Sequence, residues 1–297
     1  MCDLTISVIT MNRALQLKEA LDSCLFCDLP ENTEFVIIDN ASSDNTKDVV
    51  YECLQNSGYC FYYEKLPENL GVGGGRNYAF EKASGKYIYV MDDDAVISGD
   101  NKNFFKSAME YFEKHEDVVT LTTQIYDTAW KKNRLEQFGQ EVYKGLYYCM
   151  MFCGGSHFLR KDFFETPPYL NNKYGYEEIP PSLYVADAGM KNMFCPSLKV
   201  IHKPKVNKWD KSKEENVHIL INECATAYAL KKMMYPKIFF PVLKMAYLKR
   251  CKMYLNKDGK KQADKLVKDI IKEYKGLKKI KVKTVIEEFK KFGLAVF

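Results

Sequence analysis

The hydrophobic positions in the first hundred residues predict several short, buried strands. Apolar runs of β-branched character begin at Leu4 and at Phe35, and a fully apolar run covers residues 87–91. A weaker run over residues 58–63 predicts a further strand. The lengths of these runs, between four and eight residues, are typical of strands in a buried sheet.

Helical patterns separate the strands. The first has apolar residues at three- and four-residue spacing, the second begins near Ser43 as N-cap with Asp44 in its first turn, and the third covers residues 75–83. Strands alternating with helices indicate βαβ units and a mostly parallel, Rossmann-like sheet flanked by helices. We therefore predict an α/β fold whose ligands bind beyond the carboxyl ends of the strands. The apolar positions of the first helix are Leu17, Leu21, Cys24 and Leu25.

The pattern changes at about residue 206, where helical signals replace the alternation. An apolar stripe of Leu266, Ile270, Tyr274 and Leu277 is surrounded by lysines. We predict an α/β domain over residues 1–205. A basic, mostly helical region over residues 206–297 follows it.

The composition is that of a globular protein, with 46% hydrophobic and 28% charged residues among 297. No apolar run approaches the ~20 residues of a membrane-spanning helix, and the N-terminus has no signal-peptide pattern. The ten cysteines are scattered, and pairs such as Cys24/Cys27 and Cys149/Cys153 lack a second pair at zinc-ligand spacing. The sequence therefore predicts structural thiols and a cytoplasmic location.

The net charge of +5 is unevenly distributed. Residues 206–297 contain 23 Lys and Arg against 10 Asp and Glu, whereas residues 1–205 contain 21 against 29. An acidic body with a basic C-terminal region indicates two different tasks.

Polar residues follow three of the predicted strands. Residues 10–13 read Thr-Met-Asn-Arg, residues 39–42 read Asp-Asn-Ala-Ser, and residues 92–94 are three aspartates. Since parallel strands deliver their carboxyl ends to one edge of a sheet, these groups outline a nucleotide site.

The three aspartates repel one another after a buried strand, so a positive partner is expected. A divalent cation would accept carboxylate oxygens on one side and diphosphate oxygens on the other. The alternative is a solvated acidic loop that caps the next helix. With the other polar strand ends present, the sequence favours the metal.

Four motifs together resemble family 2 of the inverting glycosyltransferases, whose catalytic domain has the GT-A fold. They occur in that family's order and spacing over about the first hundred residues. The motifs are Thr10-Met11-Asn12-Arg13, residues 36–46, Glu68 to Asn77 and Met91 to Ala95.

The resemblance implies a role for each matching position. Asp39 would contact the nucleotide base, with Thr10, Asn12 and Arg13 beside it. Asp92 would contact the ribose, with Asp93 also on the nucleotide side. Asp94 would bind Mn²⁺ or Mg²⁺ on the diphosphate.

The glycine-rich segment from Gly71 to Arg76 matches a loop along the nucleotide. Gly73, Gly74 and Gly75 would let the backbone approach a ligand before a helix whose N-terminus favours anions. The glycines could equally form only a tight turn. Arg76 would pair with phosphate, or be solvated in the first helical turn.

A second signature of the family is resembled by Glu177-Glu178, which would open a helix, followed by His202 beyond the next strand. Glu178 matches the general base and Glu177 a residue that holds acceptor or sugar, although the family usually has Glu-Asp here. His202 matches a residue that completes the metal's coordination. Without the resemblance, two glutamates could simply complement a helix dipole, and a lone histidine is more often structural.

Two further segments are weaker candidates for the donor-sugar pocket. Cys153-Gly154-Gly155-Ser156 resembles a segment that lines it, and Trp130 could stack on a sugar face or only pack in the protein.

The basic C-terminal region has three interpretations. It could pack on the catalytic domain with a solvated lysine face that includes Lys265, Lys268, Lys272, Lys275 and Lys279. It could contact an anionic membrane peripherally, at the inner face of the cell membrane where a lipid-linked acceptor would wait. It could bind nucleic acid, but no module for that is present, and we expect none as partner.

The resemblance thus implies an inverting, metal-dependent hexosyltransferase of bacterial surface polysaccharide synthesis. Residues 1–205 would be its catalytic domain, with nucleotide-sugar binding at about 1–100 and the acceptor side at about 101–205. Its donor would be a UDP- or dTDP-linked sugar, with galactofuranose, galactose or rhamnose favoured by the motifs, and its acceptor an oligosaccharide or lipid-linked saccharide. The alternatives are a sugar-nucleotide pyrophosphorylase and a non-enzymatic nucleic-acid-binding protein. A pyrophosphorylase would need a Gly-rich, basic phosphate signature near the first strand, where Thr10 to Arg13 stand instead.

Overall fold

The computed structural model describes residues 2–134, 138–172, 175–204, 217–274 and 276–297. Within these residues, eleven strands form one mixed sheet. They are β1 (Leu4–Thr10), β2 (Thr33–Asp39), β3 (Cys60–Lys65), β4 (Tyr87–Asp92), β5 (Ala95–Ile97), β6 (Val118–Asp127), β7 (Lys132–Asn133), β8 (Phe138–Tyr143), β9 (Leu146–Cys149), β10 (Ser156–Arg160) and β11 (Lys191–His202).

Nine helices are present in the described part of the chain. They are α1 (Ala14–Leu25), α2 (Thr46–Leu54), α3 (Gly71–Lys82), α4 (Phe104–Lys114), α5 (Ile179–Asp187), α6 (Val217–Met234), α7 (Phe240–Tyr254), α8 (Lys257–Glu273) and α9 (Val282–Phe292).

The strands run in the order β3-β2-β1-β4-β10-β6-β11-β9-β8, with β5 paired to β11 and β7 to β6. The first four strands of this order are mutually parallel, and β6 is parallel to β11. The inserted strand β10 is antiparallel to both β4 and β6. Because β1, β2 and β4 run side by side in the same direction, the polar residues that follow them meet at one edge, as predicted.

The chain divides into two compact units. The first comprises residues 1–178 and 189–204, and the second comprises residues 179–188 and 205–297. The predicted boundary at residues 205/206 adjoins residues outside the described ones and stays a prediction.

An aromatic cluster forms much of the core of the first unit. Tyr89 of β4 contacts Phe104 and Phe105 of α4 at ring-centroid distances of 5.3 Å, and Phe158 of β10 at 4.5 Å. The second unit has its own core of buried residues on α6, α7 and α8: Ile221, Cys224, Ala225, Ala229, Tyr247, Cys251, Ala263, Val267 and Ile270.

Three helix boundaries differ from the prediction. Helix α2 has Asn45 rather than Ser43 as its N-cap, and Ser43 instead donates its N–H to Asn12 Oδ1 at 2.7 Å. Helix α3 begins at Gly71 rather than Gly75, where the Asn69 side chain accepts the Gly71 N–H at 2.7 Å. Helix α8 ends at Glu273, so its buried stripe does not continue to Leu277.

No helix among the described residues is both long enough and apolar enough to cross a bilayer.

Candidate active site

The aspartate triplet begins at the last residue of β4, and β1 supplies partners for it. Thr10 Oγ1 donates to Asp93 Oδ2 at 2.7 Å. Arg13 Nη1 lies 2.8 Å from Asp93 Oδ1 and 2.7 Å from Asp94 Oδ2. Thr10 and Arg13 therefore hold the triplet in place, and the guanidinium offsets part of the repulsion between adjacent carboxylates.

Asp93 is buried, and burial raises its pKa to about 6 even though the charge of Arg13 opposes the shift. With both of its oxygens engaged by Thr10 and Arg13, Asp93 links β1 to β4. This contact fixes the aspartate triplet against the end of β1.

Asp92, Asp94 and His202 form the cluster that could hold a metal ion. One ligand atom from each lies within 4.8 Å of the others. The antiparallel pairing of β5 with β11 sets His202 opposite Ala95, which places the ring beside the triplet. His202 Nε2 is 3.2 Å from Asp94 Oδ1.

The chemistry of this donor set fits Mn²⁺ or Mg²⁺. Two carboxylates are hard oxygen ligands, and one imidazole is acceptable to Mn²⁺. Burial opposes ionisation of Asp94, but hydrogen bonding to His202 and nearby positive charge keep its pKa below the usual value. The carboxylate is therefore ionised and available as a ligand at neutral pH.

A further carboxylate, Asp127, orients the histidine. Asp127 ends β6, and the parallel register of β6 with β11 sets it opposite His202. His202 Nδ1 lies 2.9 Å from Asp127 Oδ2, while Asp127 Oδ1 accepts the backbone N–H groups of Ala129 and Trp130 at 3.0 and 3.2 Å. This arrangement leaves Nε2 facing Asp94 and the candidate metal position.

Arg134 also lies in this group. Its Nη2 is 3.3 Å from Asp127 Oδ2 and 3.0 Å from His202 Nδ1, and its guanidinium lies 5.9 Å from the centre of the Trp130 ring. Neither Asp127 nor Arg134 belongs to a motif that predicts a role for it. Asp127 could have been found as a carboxylate that ends a run rich in β-branched residues, but Arg134 has no such signal.

Arg76 connects the metal-ligand candidates to the acidic pair. Its buried guanidinium donates from Nη1 to Glu177 Oε1 at 2.5 Å, and from Nη2 to Asp92 Oδ1 at 2.8 Å. A third bond runs from Nη2 to the Gly154 carbonyl at 2.6 Å. Arg76 therefore lies between the carboxylates of Glu177 and Asp92. A contact between Arg76 and phosphate stays a prediction.

Glu178 lies next to this ion pair and directly before α5, which begins at Ile179. Burial, followed by the charge of Glu177, raises the pKa of Glu178 to about 8. Its Oε2 is buried and has no hydrogen-bond partner within the ranges that the structure describes. Glu178 as a whole is half-buried. A carboxyl group with a raised pKa and an oxygen that can take a proton is suited to general-base chemistry.

Two glycines, Gly154 and Gly155, allow the side chains of Arg76 and Asp92 to lie close to the backbone. A Cβ on Gly154 would lie 2.9 Å from Arg76 Nη1, and one on Gly155 would lie 3.0 Å from Asp92 Oδ2. Only glycine fits this close approach without displacing a charged group. The segment that resembles a pocket lining therefore does lie against Arg76 and Asp92.

The remaining predicted residues lie around the ends of β1 and β2. Asp39, paired in register with Thr10, accepts from Ser42 N at 2.7 Å and from Tyr63 Oη at 2.8 Å. Asn12 has a positive φ of 54° in the turn after β1. These two side chains tie neighbouring loops together, and their contacts with a nucleotide base stay predictions.

Gly71 and Gly75 belong to the first turns of α3. Gly71 has a φ of +76° and its carbonyl accepts from Asn40 Nδ2 at 3.3 Å. A Cβ on Gly75 would lie 2.9 Å from that same amide nitrogen. Both glycines therefore pack against the loop that follows β2.

A mixed α/β sheet with carboxylates at the carboxyl ends of its parallel strands is the arrangement expected of a nucleotide-binding α/β protein. The sequence profile of the family described as Glycosyl transferase family 2 matches residues 5–172, more than half of the chain. The chain belongs to this family, which confirms the predicted membership and fold class.

Two relatives illustrate the similarity in sequence. The chain is 31% identical over 111 residues to poly-β-1,6-N-acetyl-D-glucosamine synthase of Staphylococcus epidermidis, covering 37% of this chain and 26% of that protein. It is 30% identical over 108 residues to the GalNAc(5)-diNAcBac-PP-undecaprenol β-1,3-glucosyltransferase of Campylobacter jejuni, covering 36% and 35%. The chain thus matches about a quarter to a third of the length of these relatives.

Solved structures share the fold. TarS residues 1–349 of S. aureus, in complex with UDP-GlcNAc, superpose with a TM-score of 0.64 at 15% identity, covering 96% of this chain and 83% of that one. The mannosyltransferase PcManGT of Pyrobaculum calidifontis, in complex with GDP-Man and Mn²⁺, gives 0.59 at 16% identity, covering 99% and 80%. At these identities the similarity establishes the GT-A fold alone.

Proposed function

We propose that this chain is an inverting, metal-dependent glycosyltransferase that moves a sugar from a nucleotide diphosphate to a saccharide hydroxyl. The observation that carries the proposal is the buried Arg76 bridge. It joins Asp92, a metal-ligand candidate, to Glu177, the neighbour of the candidate base. In this proposal Asp92 lies on the donor side and Glu177 on the acceptor side, and the Arg76 guanidinium pairs with both.

Glu178 is the proposed general base. Inverting transfer requires one carboxylate to take the acceptor hydroxyl's proton as that oxygen attacks the anomeric carbon in line. The free Oε2 of Glu178 would receive this proton, and the raised pKa would help to hold it. Glu177, fixed by Arg76, would position the acceptor or sugar.

Asp92, Asp94 and His202 would hold Mn²⁺ or Mg²⁺. When bound, the cation supplies positive charge that stabilises the departing diphosphate, so no general acid is needed. Thr10 and Arg13 would keep the triplet in register with the nucleotide through Asp93.

The donor is proposed to be a UDP- or dTDP-linked hexose, with galactofuranose, galactose or rhamnose favoured. The solved neighbours were captured with UDP-GlcNAc and with GDP-Man, which supports a nucleotide sugar and leaves several sugars open. The names of the bacterial relatives support an acceptor in a surface polysaccharide or its lipid-linked precursor.

Family membership favours transfer over the pyrophosphorylase and nucleic-acid-binding alternatives, because the matched segment contains the triplet and the Arg76 segment. We also propose that the protein works in the cytoplasm. Its basic C-terminal region would make peripheral contact with an anionic membrane at the inner face of the cell membrane.

A donor panel tests this function. Purified protein is incubated with UDP-, dTDP- and GDP-sugars, each with Mn²⁺, Mg²⁺ or EDTA, and release of nucleoside diphosphate is measured. We expect metal-dependent release from a UDP- or dTDP-sugar that falls to background in Glu178→Gln. Release of nucleoside triphosphate from a sugar nucleotide and pyrophosphate would instead identify a pyrophosphorylase, and binding of none of the donors by calorimetry would refute the proposal.

A further inference from the structure

The second unit contains a long stretch of one charge sign. Residues 224–257, which include most of α6 and all of α7, contain eight Lys and Arg and no Asp or Glu. No other stretch of the sequence has as many basic residues without an acidic one. Such a stretch has a strong preference for an anionic partner.

Helix α7 buries one face and exposes the other. Leu243, Tyr247 and Cys251 are buried, and the last two belong to the core that α7 shares with α6 and α8. On the opposite face Met245 is 65% exposed and Leu248 is 41% exposed. Among the residues that the structure describes in this unit, none covers these two side chains.

Lysines flank the exposed apolar residues. Lys244, Lys249 and Lys252 are exposed, and no carboxylate pairs with any of the three in the described ranges. At 100° per residue around the helix, Lys244 lies beside Leu248 and Lys249 lies beside Met245. Lys252 lies between the two apolar side chains. Ile238, 72% exposed, precedes the helix in a 3₁₀ turn over Lys237–Phe239.

Helix α8 contains Lys265, Lys268 and Lys272 of the lysine face noted in the sequence, whereas Lys275 lies outside the described residues and Lys279 follows the helix. Its surface differs from that of α7. Its six lysines are accompanied by four acidic residues, and Lys260 already pairs with Asp264 at 2.5 Å. No large hydrophobic side chain of α8 is exposed. The outer face of α8 is an ordinary solvated surface.

We propose that the outer face of α7, formed by Ile238, Lys244, Met245, Leu248, Lys249 and Lys252, docks on the anionic surface of a lipid bilayer. This proposal rests on the membrane contact proposed above and assigns it to one helix. Exposed methionine, leucine and isoleucine side chains would enter the headgroup boundary, while lysine stems extend along them with the ammonium groups at the lipid phosphates. A nucleic-acid backbone offers no apolar region for Met245 and Leu248.

The test compares two triple variants with the same change in charge. Lys244→Gln, Lys249→Gln and Lys252→Gln alter α7, whereas Lys265→Gln, Lys268→Gln and Lys272→Gln alter α8. Partitioning of the full chain is measured by sedimentation with vesicles of phosphatidylglycerol and phosphatidylcholine, and with pure phosphatidylcholine. Melting temperatures of both variants should equal that of the wild type, because exposed charges rarely affect stability.

We expect the intact protein to prefer the anionic vesicles and to lose binding between low and high salt. The α7 triple variant should bind them on the order of 10²-fold more weakly, since each lysine near such a surface contributes about fivefold. The α8 variant should lose much less, and Met245→Ser with Leu248→Ser should weaken binding with all lysines present.

Equal losses in the two triple variants would mean that only net charge acts, which overturns the assignment to α7. Absence of vesicle binding would overturn it too, as would a dimer in light scattering that Met245→Ser and Leu248→Ser dissociate. Donor hydrolysis in detergent-free solution distinguishes this failure from failure of the proposed enzyme, since the α7 variants should leave it unchanged.

Discussion

A single buried guanidinium, that of Arg76, lies between the two acidic groups of the candidate active site. The sequence predicted both acidic groups from their motifs but treated Arg76 as a phosphate ligand or a solvated residue. Its partners, Glu177 and Asp92, are 101 and 16 residues away along the chain. Neither spacing can be derived from a local pattern, because the contact exists only once β4 and the segment before α5 have folded together.

Glu178→Gln tests the general base through pH as well as rate. Turnover should fall by about 10²–10⁴-fold while donor binding is kept. In the wild type, kcat/KM should rise with pH up to about 8, the pKa to which burial raises Glu178, since the base must be ionised. A pH–rate profile measured with Mg²⁺ checks this, and a flat profile from pH 6 to 9 would argue against Glu178 as the base.

The same substitution has a consequence for stability with a defined sign. A carboxyl whose pKa is raised on folding contributes stability that is present at low pH and is lost as pH rises towards 8. Glutamine does not titrate, so the Gln variant should become more stable than the wild type by a margin that grows between about pH 5 and pH 8. Thermal unfolding across that range measures the margin.

Asp127 is expected to act on the metal through His202. Asp127→Asn should weaken Mn²⁺ binding about 10–100-fold, the usual effect of removing the carboxylate that orients a histidine ligand. Asparagine keeps an oxygen for the Ala129 and Trp130 amides, so the turn should persist. Mn²⁺ titration followed by electron paramagnetic resonance measures the affinity.

The control for Asp127 is a double variant. In a His202→Ala background, Asp127→Asn should cause little further loss of Mn²⁺ affinity, because the residue it orients is gone. Additive losses would show that Asp127 acts on the cation independently of His202.

Helix α3 forms hydrogen bonds with residues 169–172, the segment that precedes Glu177 and Glu178. Asn77 exchanges two hydrogen bonds with the Tyr169 backbone, at 2.8 and 2.9 Å, and Gly73 N donates to the Asn172 carbonyl at 3.3 Å. The next bond in the series runs from Leu170 N to the Glu177 carbonyl at 3.2 Å. The glycines predicted to approach a ligand thus include one that approaches the protein's own backbone.

Gly73→Ala should disrupt this packing. A Cβ at Gly73 would lie 1.7 Å from the Leu170 carbonyl oxygen, so helix and segment must separate. We expect a loss of about 1–3 kcal/mol in the free energy of unfolding and a lower turnover, because Glu177 is attached to the displaced segment. Gly99→Ala is the matched control, since its Cβ meets nothing within 4 Å. Equal melting temperatures for the two variants would contradict the expected clash.

The strands and helices of the first hundred residues were predictable because the spacing of apolar residues differs between them. Strands β1, β2 and β4 lie where the apolar runs indicated, within about two residues. The strands of the second half were not predicted in detail. Strand β10 pairs antiparallel between β4 and β6, and such long-range insertion leaves no mark on the local pattern of residues 156–160.

The uneven charge of the whole chain corresponds to its two compact units. The acidic excess lies with the sheet and its carboxylate cluster, and the basic excess lies with helices α6 to α9. Composition alone predicted this division of charge. Which basic helix exposes apolar residues could not be predicted, because α7 and α8 both have lysines at helical spacing and differ in what their outer faces leave exposed.

Ligand binding should stabilise the two units unequally. The residues proposed for Mn²⁺ and nucleotide, from Thr10 to His202, all lie in the first unit. At ligand concentrations 100-fold above Kd, binding adds about 2.7 kcal/mol to the stability of whatever unfolds with the site. Hydrogen exchange should therefore slow in β1, β4 and β11 when UDP and Mn²⁺ are added together, and change little in α7 and α8.

Asp94→Ala should abolish the Mn²⁺-dependent part of this protection while leaving the fold intact, since Arg13 keeps Asp93 as a partner and one repelling carboxylate is removed. Undiminished Mn²⁺-dependent protection in that variant would show that the cation binds elsewhere, and equal protection of α7 and α8 would show that the two units unfold together.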